Sequence, residues 1–298
     1  MPLRYGCDFS GICAGVQALR RLRIPFTHVF SSEVDPFAVQ SIRANYEPRI
    51  LFRDVTRRPV EAVPPVDLYC ASPPCQSFSH AKRTARQDSD LCFECVDVIA
   101  HVRPKYFVLE NVPRFLTSDV GRDLLDALRE IRGYRVYGRV LNTLDYGLPQ
   151  SRKRAFIVGT RMRRGFAWPP PARRTKPLRS CIDRTNTRRT TSKSMTRAYR
   201  RRLPKRSVFV DFNFRATTDF PNSDRVAPCL LTKSGLWNVP MHRFATPKEW
   251  LCLQGFPTTF KQVVSDAQLK RQIGNSVTVD VLVAIFRSLL GGTGRRRT

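Results

Sequence analysis

The chain is short of acid, of histidine and of long apolar runs. None of its stretches reaches the ~18 consecutive apolar residues of a membrane span, so no membrane-spanning segment is expected in the 298 residues. The opening Met1-Pro2-Leu3-Arg4-Tyr5 leads straight into a strand pattern and does not read as a secretory signal. The four histidines, His28, His80, His101 and His242, are scattered, and the one Cys-x-x-Cys, Cys92 to Cys95, has no second pair. A metal site is therefore not expected, and Cys92 and Cys95 read as two cysteines on one helix face. Nine cysteines form an odd set with no secretory signal, which argues against a disulfide framework. No internal repeat is visible.

The scarcity of acid is the largest imbalance. Lys and Arg number 52 against 24 Asp and Glu, a net charge of +28. Residues 161–206 carry 17 of these cations and one acid, Asp183. Such a field favours a polyanionic partner, nucleic acid above all. A membrane surface is a poorer match, because no amphipathic apolar face accompanies the charge.

Over the first 160 residues, strand and helix patterns alternate. Strands are expected at Tyr5–Phe9, Thr27–Ser31, Ile50–Phe52, Asp67–Ala71, Lys105–Leu109, Tyr134–Leu141 and Ala155–Gly159. Helices are expected at 14–22, 37–45, 91–101 and 119–131. This order predicts an α/β fold with a doubly wound, mostly parallel sheet. The pattern stops at Trp168-Pro169-Pro170-Pro171, and apolar order returns at Val226–Thr232. Thr246-Pro247-Lys248-Glu249 has the spacing of a helix start, with Thr as cap, Pro first and Glu third. A last helix is expected over Asn275–Leu290. The division that follows is 1–162 for the catalytic and cofactor-binding domain, 163–243 for a small basic recognition region, and 244–298 for a segment returning to the first domain.

Reactive groups stand at the strand ends. Pro73 and Pro74 end the fourth strand and stiffen its exit, so that Cys75 is displayed at the carboxyl edge where open α/β sheets hold their sites. Glu110 ends the next strand. A thiol beside a carboxyl suggests nucleophilic chemistry assisted by an acid. The turn Asp8-Phe9-Ser10-Gly11-Ile12-Cys13-Ala14-Gly15 follows the first strand, and its glycines let backbone approach a ligand. Glu33 closes the second strand about 20 residues on, where a carboxylate commonly takes a ribose diol, and Asp54 follows the third. Together they point to a nucleoside cofactor. Gln150, Arg152 and Arg154 share one face if the chain there is extended, which suits a phosphate or a carbonyl edge or, equally, a basic strand edge.

These segments, in this order, resemble the C5-cytosine DNA methyltransferase family: Phe9-Ser10-Gly11, Glu33, Asp54, Pro74-Cys75-Gln76, Glu110-Asn111-Val112, Gln150/Arg152/Arg154, Leu253-Gln254-Gly255-Phe256-Pro257 and Gln272-Ile273-Gly274-Asn275-Ser276-Val277. The resemblance spans residues 5–160 and 226–290. It implies a Rossmann-like methyltransferase fold, S-adenosylmethionine as cofactor and double-stranded DNA as partner. Cys75 is the implied nucleophile at cytosine C6, Glu110 the group at N3 and the exocyclic amine, Arg154 the group at O2, and Arg152 a neighbour of the nucleophile or of a phosphate. For the cofactor it implies Phe9, Gly11, Glu33, Asp54, Pro74, Leu91, Asn275 and Val277. For DNA it implies Gln76, Ser77, Lys82, Arg83, Arg86 and Gln150, with the loop from Ser77 to about Ser89 closing over a flipped base.

In two places the chain departs from the family: it carries Cys13-Ala14 where a Gly pair is usual, and the variable region between the Gln150 triplet and Val226, which holds target recognition in the family, is short and dense in arginine, which suggests heavy backbone contact. A monomeric intracellular enzyme is expected, in the cytoplasm of a bacterial or virus-infected cell or in a eukaryotic nucleus, and a restriction-modification setting is the natural one. Two alternatives stand beside this reading. The related tRNA-modifying branch usually has Pro-Pro-Cys-Gln-Pro-Phe-Thr where this chain has Pro-Pro-Cys-Gln-Ser-Phe-Ser, which favours DNA. A non-catalytic DNA-binding relative would not need the full set of catalytic residue types found here.

Overall fold

The computed structural model describes residues 1–74, 85–187, 206–212 and 224–291, with no side-chain description for 85–90. The chain contacts draw two compact units. The first joins 1–141, 153–170 and 281–298, and the second joins 142–152 and 171–280. Relative to the expected division, residues 142–152 and 244–280 fall in the second unit, while the end of the chain rejoins the first.

The first unit is built on a seven-stranded sheet, ordered β3-β2-β1-β4-β5-β7-β6. Its strands are β1 (Leu3–Asp8), β2 (Phe26–Ser32), β3 (Ile50–Phe52), β4 (Leu68–Ala71), β5 (Tyr106–Asn111), β6 (Arg135–Asn142) and β7 (Lys153–Thr160). Pairs β1–β2, β1–β4, β2–β3 and β4–β5 are parallel, and β7 runs antiparallel to β5. Every residue of β4 and β5 is buried, as expected of central strands covered on both faces. Phe30, Tyr69, Phe107, Leu128 and Ile157 lie in one apolar cluster that also takes in Cys92 and Cys95, so the Cys-x-x-Cys pair serves core packing.

Local chemistry sets the helices. In α1 (Ala14–Arg21), the two basic residues Arg20 and Arg21 occupy the last turn, where they favour the dipole's negative end. Asp35 caps α2 (Pro36–Asn45), accepting a hydrogen bond from the Phe37 amide, and Pro36 takes the first position. The next helix, α3, covers Ala85–Val102 and so begins six residues before the expected start. Ser118 caps α4 (Asp119–Glu130) through the Gly121 amide.

The second unit contains a three-stranded antiparallel sheet that the weak periodicity did not foretell: β8 (Phe209–Asp211), β9 (Leu236–Asn238) and β10 (Arg243–Phe244). The anticipated capping box at Thr246 and Glu249 opens α5 (Pro247–Leu253). Glu249 is fully buried and takes both guanidinium nitrogens of Arg243, each at 2.9 Å. Cys181 and Cys252 are joined by a disulfide across 71 residues, a pairing that the count of cysteines argued against and that no short spacing could signal.

One long C-terminal helix was expected to start at Asn275. Instead Asn275 ends α6 (Asp266–Asn275), and α7 (Val279–Leu290) starts after a break at Ser276–Thr278. Asp266–Leu290 as a whole passes a test of length and composition for a membrane span, which is weak evidence for a stretch that the break at Ser276–Thr278 divides into two helices. Two thirds of its most apolar window is buried in the protein, as in the core helices of water-soluble folds.

Candidate active site

In the first unit the carboxyl ends of β4 and β5 lie side by side, with Ala71 paired to Leu109. β5 runs through Glu110 and Asn111 rather than stopping before them. The Asn111 side-chain amide donates to the Pro73 carbonyl at 3.4 Å, tying the proline pair to the end of β5. Because β7 is antiparallel, its first residues meet the last of β5, with Glu110 opposite Phe156 and Asn111 opposite Ala155. Arg154 thereby reaches Glu110, Nε to Oε1 at 3.2 Å, with both side chains largely buried. A carboxylate taken out of water needs such a partner. Pro73, Glu110, Asn111, Phe115 and Ala155 line a small recess beside this pair.

The turn after β1 forms a second centre. Phe9, Gly11 and Cys13 all hold positive φ, at 50°, 52° and 54°. A Cβ added at Gly11 would meet nothing within 4 Å, so open space lies directly against this backbone. Glu33, at the end of β2, accepts from the Gly11 amide at 2.7 Å and from the Asp35 amide at 2.9 Å. Burial pushes its carboxyl up from the usual range, against those amide hydrogen bonds, which favour the charged form. Asp54 caps a short turn through the hydroxyl and amide of Thr56, and these bonds lower its carboxyl. Phe9 is half-buried against the apolar cluster, and Leu91 is half-buried on α3.

A buried network beneath this edge was not anticipated. Asp8, the last residue of β1, takes both guanidinium nitrogens of Arg58, at 2.8 and 3.0 Å, and the Tyr69 hydroxyl at 2.8 Å. Ser32, the last residue of β2, also donates to Asp8. The carboxylate thus binds together β1, β2, β4 and the segment after β3. Burial works against the Arg58 charge, but its hydrogen bonds and attraction to Asp8 win, and its pKa is raised. An aspartate ending an apolar strand was the one visible signal, and nothing along the chain named Arg58 as its partner.

Gln150, Arg152 and Arg154 do not share one face as a strand triplet. β7 begins at Lys153, and Gln150 and Arg152 belong to the second unit. Gln150 is fully buried, donating to the Leu253 carbonyl at 2.8 Å and the Gln254 side chain at 2.9 Å, and accepting from the Leu230 amide at 3.1 Å. The Arg152 guanidinium donates to the carbonyls of Leu230, Gly274 and Ser276 at 2.6, 3.0 and 2.9 Å. These bonds argue against direct contact of either residue with DNA or substrate and for a role in holding the second unit together. Asn275 is exposed and Val277 buried in that unit.

Cys75, Gln76, Ser77, Lys82 and Arg83 lie outside the described residues. Arg86 falls within α3 rather than in a loop reaching Ser89. Pro74 is half-buried. The expected lack of a metal-type cluster rested on spacing along the chain, whereas the fold brings Cys7, Cys13 and His28 together with their ligand atoms within 4.8 Å.

A profile of the C-5 cytosine-specific DNA methylase family matches residues 8–198 and 175–291. The Type II methyltransferase M.NlaX of Neisseria lactamica is 34% identical over 278 residues, covering 88% of each chain. M.NgoBI of Neisseria gonorrhoeae is also 34% identical, over 87% of this chain and 84% of its own. Among solved structures, the Dnmt2 methyltransferase of S. pombe superposes with a TM-score of 0.71 over 99% of this chain and all of its own. A putative DNA modification methyltransferase encoded within an E. coli prophage gives 0.73 over 97% and 99%. Both are 18% identical and speak for the fold alone. With the family profile and these relatives covering most of its length, the chain belongs to the C-5 cytosine-specific DNA methylase family and is a DNA (cytosine-5) methyltransferase with a Rossmann-like fold.

Proposed function

We propose that the protein methylates a cytosine swung out of double-stranded DNA, with Cys75 as nucleophile and S-adenosylmethionine as donor. The observation that supports this most is the Arg154–Glu110 pair beside Pro73, two residues before Cys75. Glu110 and Arg154 offer an acid and a planar donor to one heterocycle edge.

The reading assigns each side chain a step. Cytosine C5 is a poor nucleophile while the ring stays aromatic. The Cys75 thiolate adds to C6, forming a C–S bond and pushing the double-bond electrons toward N3. Arg154 turns to the base O2. Glu110 is then free to turn to N3 and the exocyclic amine and to supply the N3 proton. The addition leaves C5 enamine-like. S-adenosylmethionine supplies an electrophilic methyl group. Loss of the C5 proton to solvent then breaks the C6–S bond and expels the Cys75 thiolate, and N3 gives its proton back to Glu110, which restores the ring.

The turn after β1 fits such a donor. Open space at Gly11 admits a ligand against backbone, and the Glu33 carboxylate, held from the end of β2 against the Gly11 amide, suits ribose hydroxyls. Phe9, Asp54, Pro74 and Leu91 complete the proposed cofactor set in the first unit. Gln76, Ser77, Lys82, Arg83 and Arg86, with the cations of 161–206, are proposed to meet the DNA, largely at phosphates. The Type II names of the relatives support a restriction-modification setting, with the protein acting as a single chain inside the cell.

Duplex DNA bearing 5-fluorocytosine tests the chemistry. The wild-type protein with donor should give a denaturant-stable adduct that Cys75→Ala cannot form. Tritiated methyl groups should enter duplex DNA and not tRNA; the opposite preference, or no adduct, would refute the reading.

A further inference from the structure

We infer that Cys7, Cys13, His28 and Ser31 form a buried site for one zinc ion beneath the turn that follows β1. Cys7 lies in β1, Cys13 in the turn, and His28 and Ser31 in β2, with Cys7 paired to Ser31 across the two strands. The Ser31 hydroxyl sits 2.9 Å from His28 Nε2, 3.5 Å from Cys7 Sγ and 3.6 Å from Cys13 Sγ. The sulfurs and the imidazole nitrogen lie within 4.8 Å of one another. Bond lengths of ~2.3 Å to sulfur and ~2.0 Å to nitrogen put the corners of a zinc tetrahedron roughly 3.3–3.8 Å apart. The two sulfur–oxygen separations already fall in that range, and the others, none above 4.8 Å, need shifts of at most about 1.5 Å.

Charge and burial agree with this assignment. All four side chains are buried, where an ion must be compensated. Two thiolates cancel a divalent cation, and a neutral imidazole and hydroxyl add nothing. The other nitrogen of His28, Nδ1, is buried without a hydrogen-bond partner, so the ring is anchored only on the side that faces the cluster.

The backbone supplies an independent argument. Cys13 holds φ 54° in the left-handed region, where glycine is the default and another residue carries strain. Its thiol has a task that accounts for the choice. With four protein ligands the site is closed, and its role is structural. It clamps β1, the turn and β2 directly under the Gly11 backbone and Glu33.

The experiment uses the full chain expressed in zinc-supplemented medium. Elemental analysis should find one zinc ion per chain, lost in Cys13→Gly and in Cys7→Ser. Glycine suits φ 54°, so Cys13→Gly should retain the wild-type circular dichroism. Cobalt substitution of the wild type should show thiolate-to-cobalt charge transfer and tetrahedral d–d bands, absent from both variants. A chelator should lower the wild-type Tm by several degrees and leave that of Cys13→Gly in place. A wild-type protein that retains no zinc and gives no cobalt–thiolate band, zinc that persists in both variants, or a Cys7–Cys13 disulfide in the zinc-grown protein would overturn the assignment.

Discussion

Arg154 Nε lies 3.2 Å from Glu110 Oε1, the first turn of β7 meeting the last of β5. A side chain from the start of one strand and one from the end of another share a place because the two strands run in opposite directions. The pair holds a buried carboxylate ready at the sheet edge.

Glu110→Gln removes the acid while keeping the shape. Single-turnover methyl transfer should fall about 10²- to 10⁴-fold, the usual share of a positioned proton donor. Arg154→Lys keeps the charge but not the planar fork, and its rate should fall less than that of Arg154→Ala. Equal rates for the lysine and alanine variants would show that the fork is idle.

Gly11→Ala places a methyl group in space that no protein atom occupies. Folding should lose only the strain of a positive φ, on the order of 1 kcal/mol. The donor should suffer more, its KM rising at least tenfold with kcat altered less. A donor KM equal to wild type would move the donor away from this turn.

Asp8→Asn strips the charge from the network that joins β1, β2 and β4. Arg58 is left buried beside a neutral amide, a situation that costs roughly 3–5 kcal/mol. Thermal unfolding should shift down on the order of 10 °C. A shift within a degree or two would mean that Arg58 finds another anion.

Asp67 sits at the opposite end of the sheet. Burial alone would raise its carboxyl, but the Arg4 side chain and amide and the Lys105 ammonium outweigh it and bring the pKa down to about 2. A carboxyl depressed on folding adds stability above its unfolded pKa of about 3.9. That stability fades as pH falls through about 2. Asp67→Asn should therefore cost roughly 1–2 kcal/mol at pH 7, allowing for the exposure of both cations, and close on wild type in strong acid. Denaturant midpoints across pH 7 to 2 measure the gap; one that widens on acidification would reverse the assignment.

The sheet was legible because its strands are short apolar runs with punctuation at both ends. Strands β1 to β5 carry their turn or polar residues where the expected elements stop, and Pro73 and Pro74 mark the exit of β4. Glu110 and Arg154 were legible as residue types at strand boundaries, but their contact depends on the reversal of β7, which periodicity does not encode. Gln150 and Arg152 misled for a physical reason. Alternate polar residues before a strand look like an outward face, and only tertiary packing turns them onto buried carbonyls. Asp8 and Arg58, like Cys7, Cys13 and His28, meet through strand neighbours distant in sequence. The second unit's strands are two or three residues long, too short for an alternating pattern to show.

The reversed β7 also orders events at the ribosome. As the nascent chain emerges, β1, β2, β4 and β5 are made while Glu110 still has no cation across from it. The arginine arrives only when the chain turns back at Lys153 to enter the sheet head-first. A sheet paused before that point would carry a naked acid at its rim, so insertion of the returning strand completes the folded layer and its chemistry in one event.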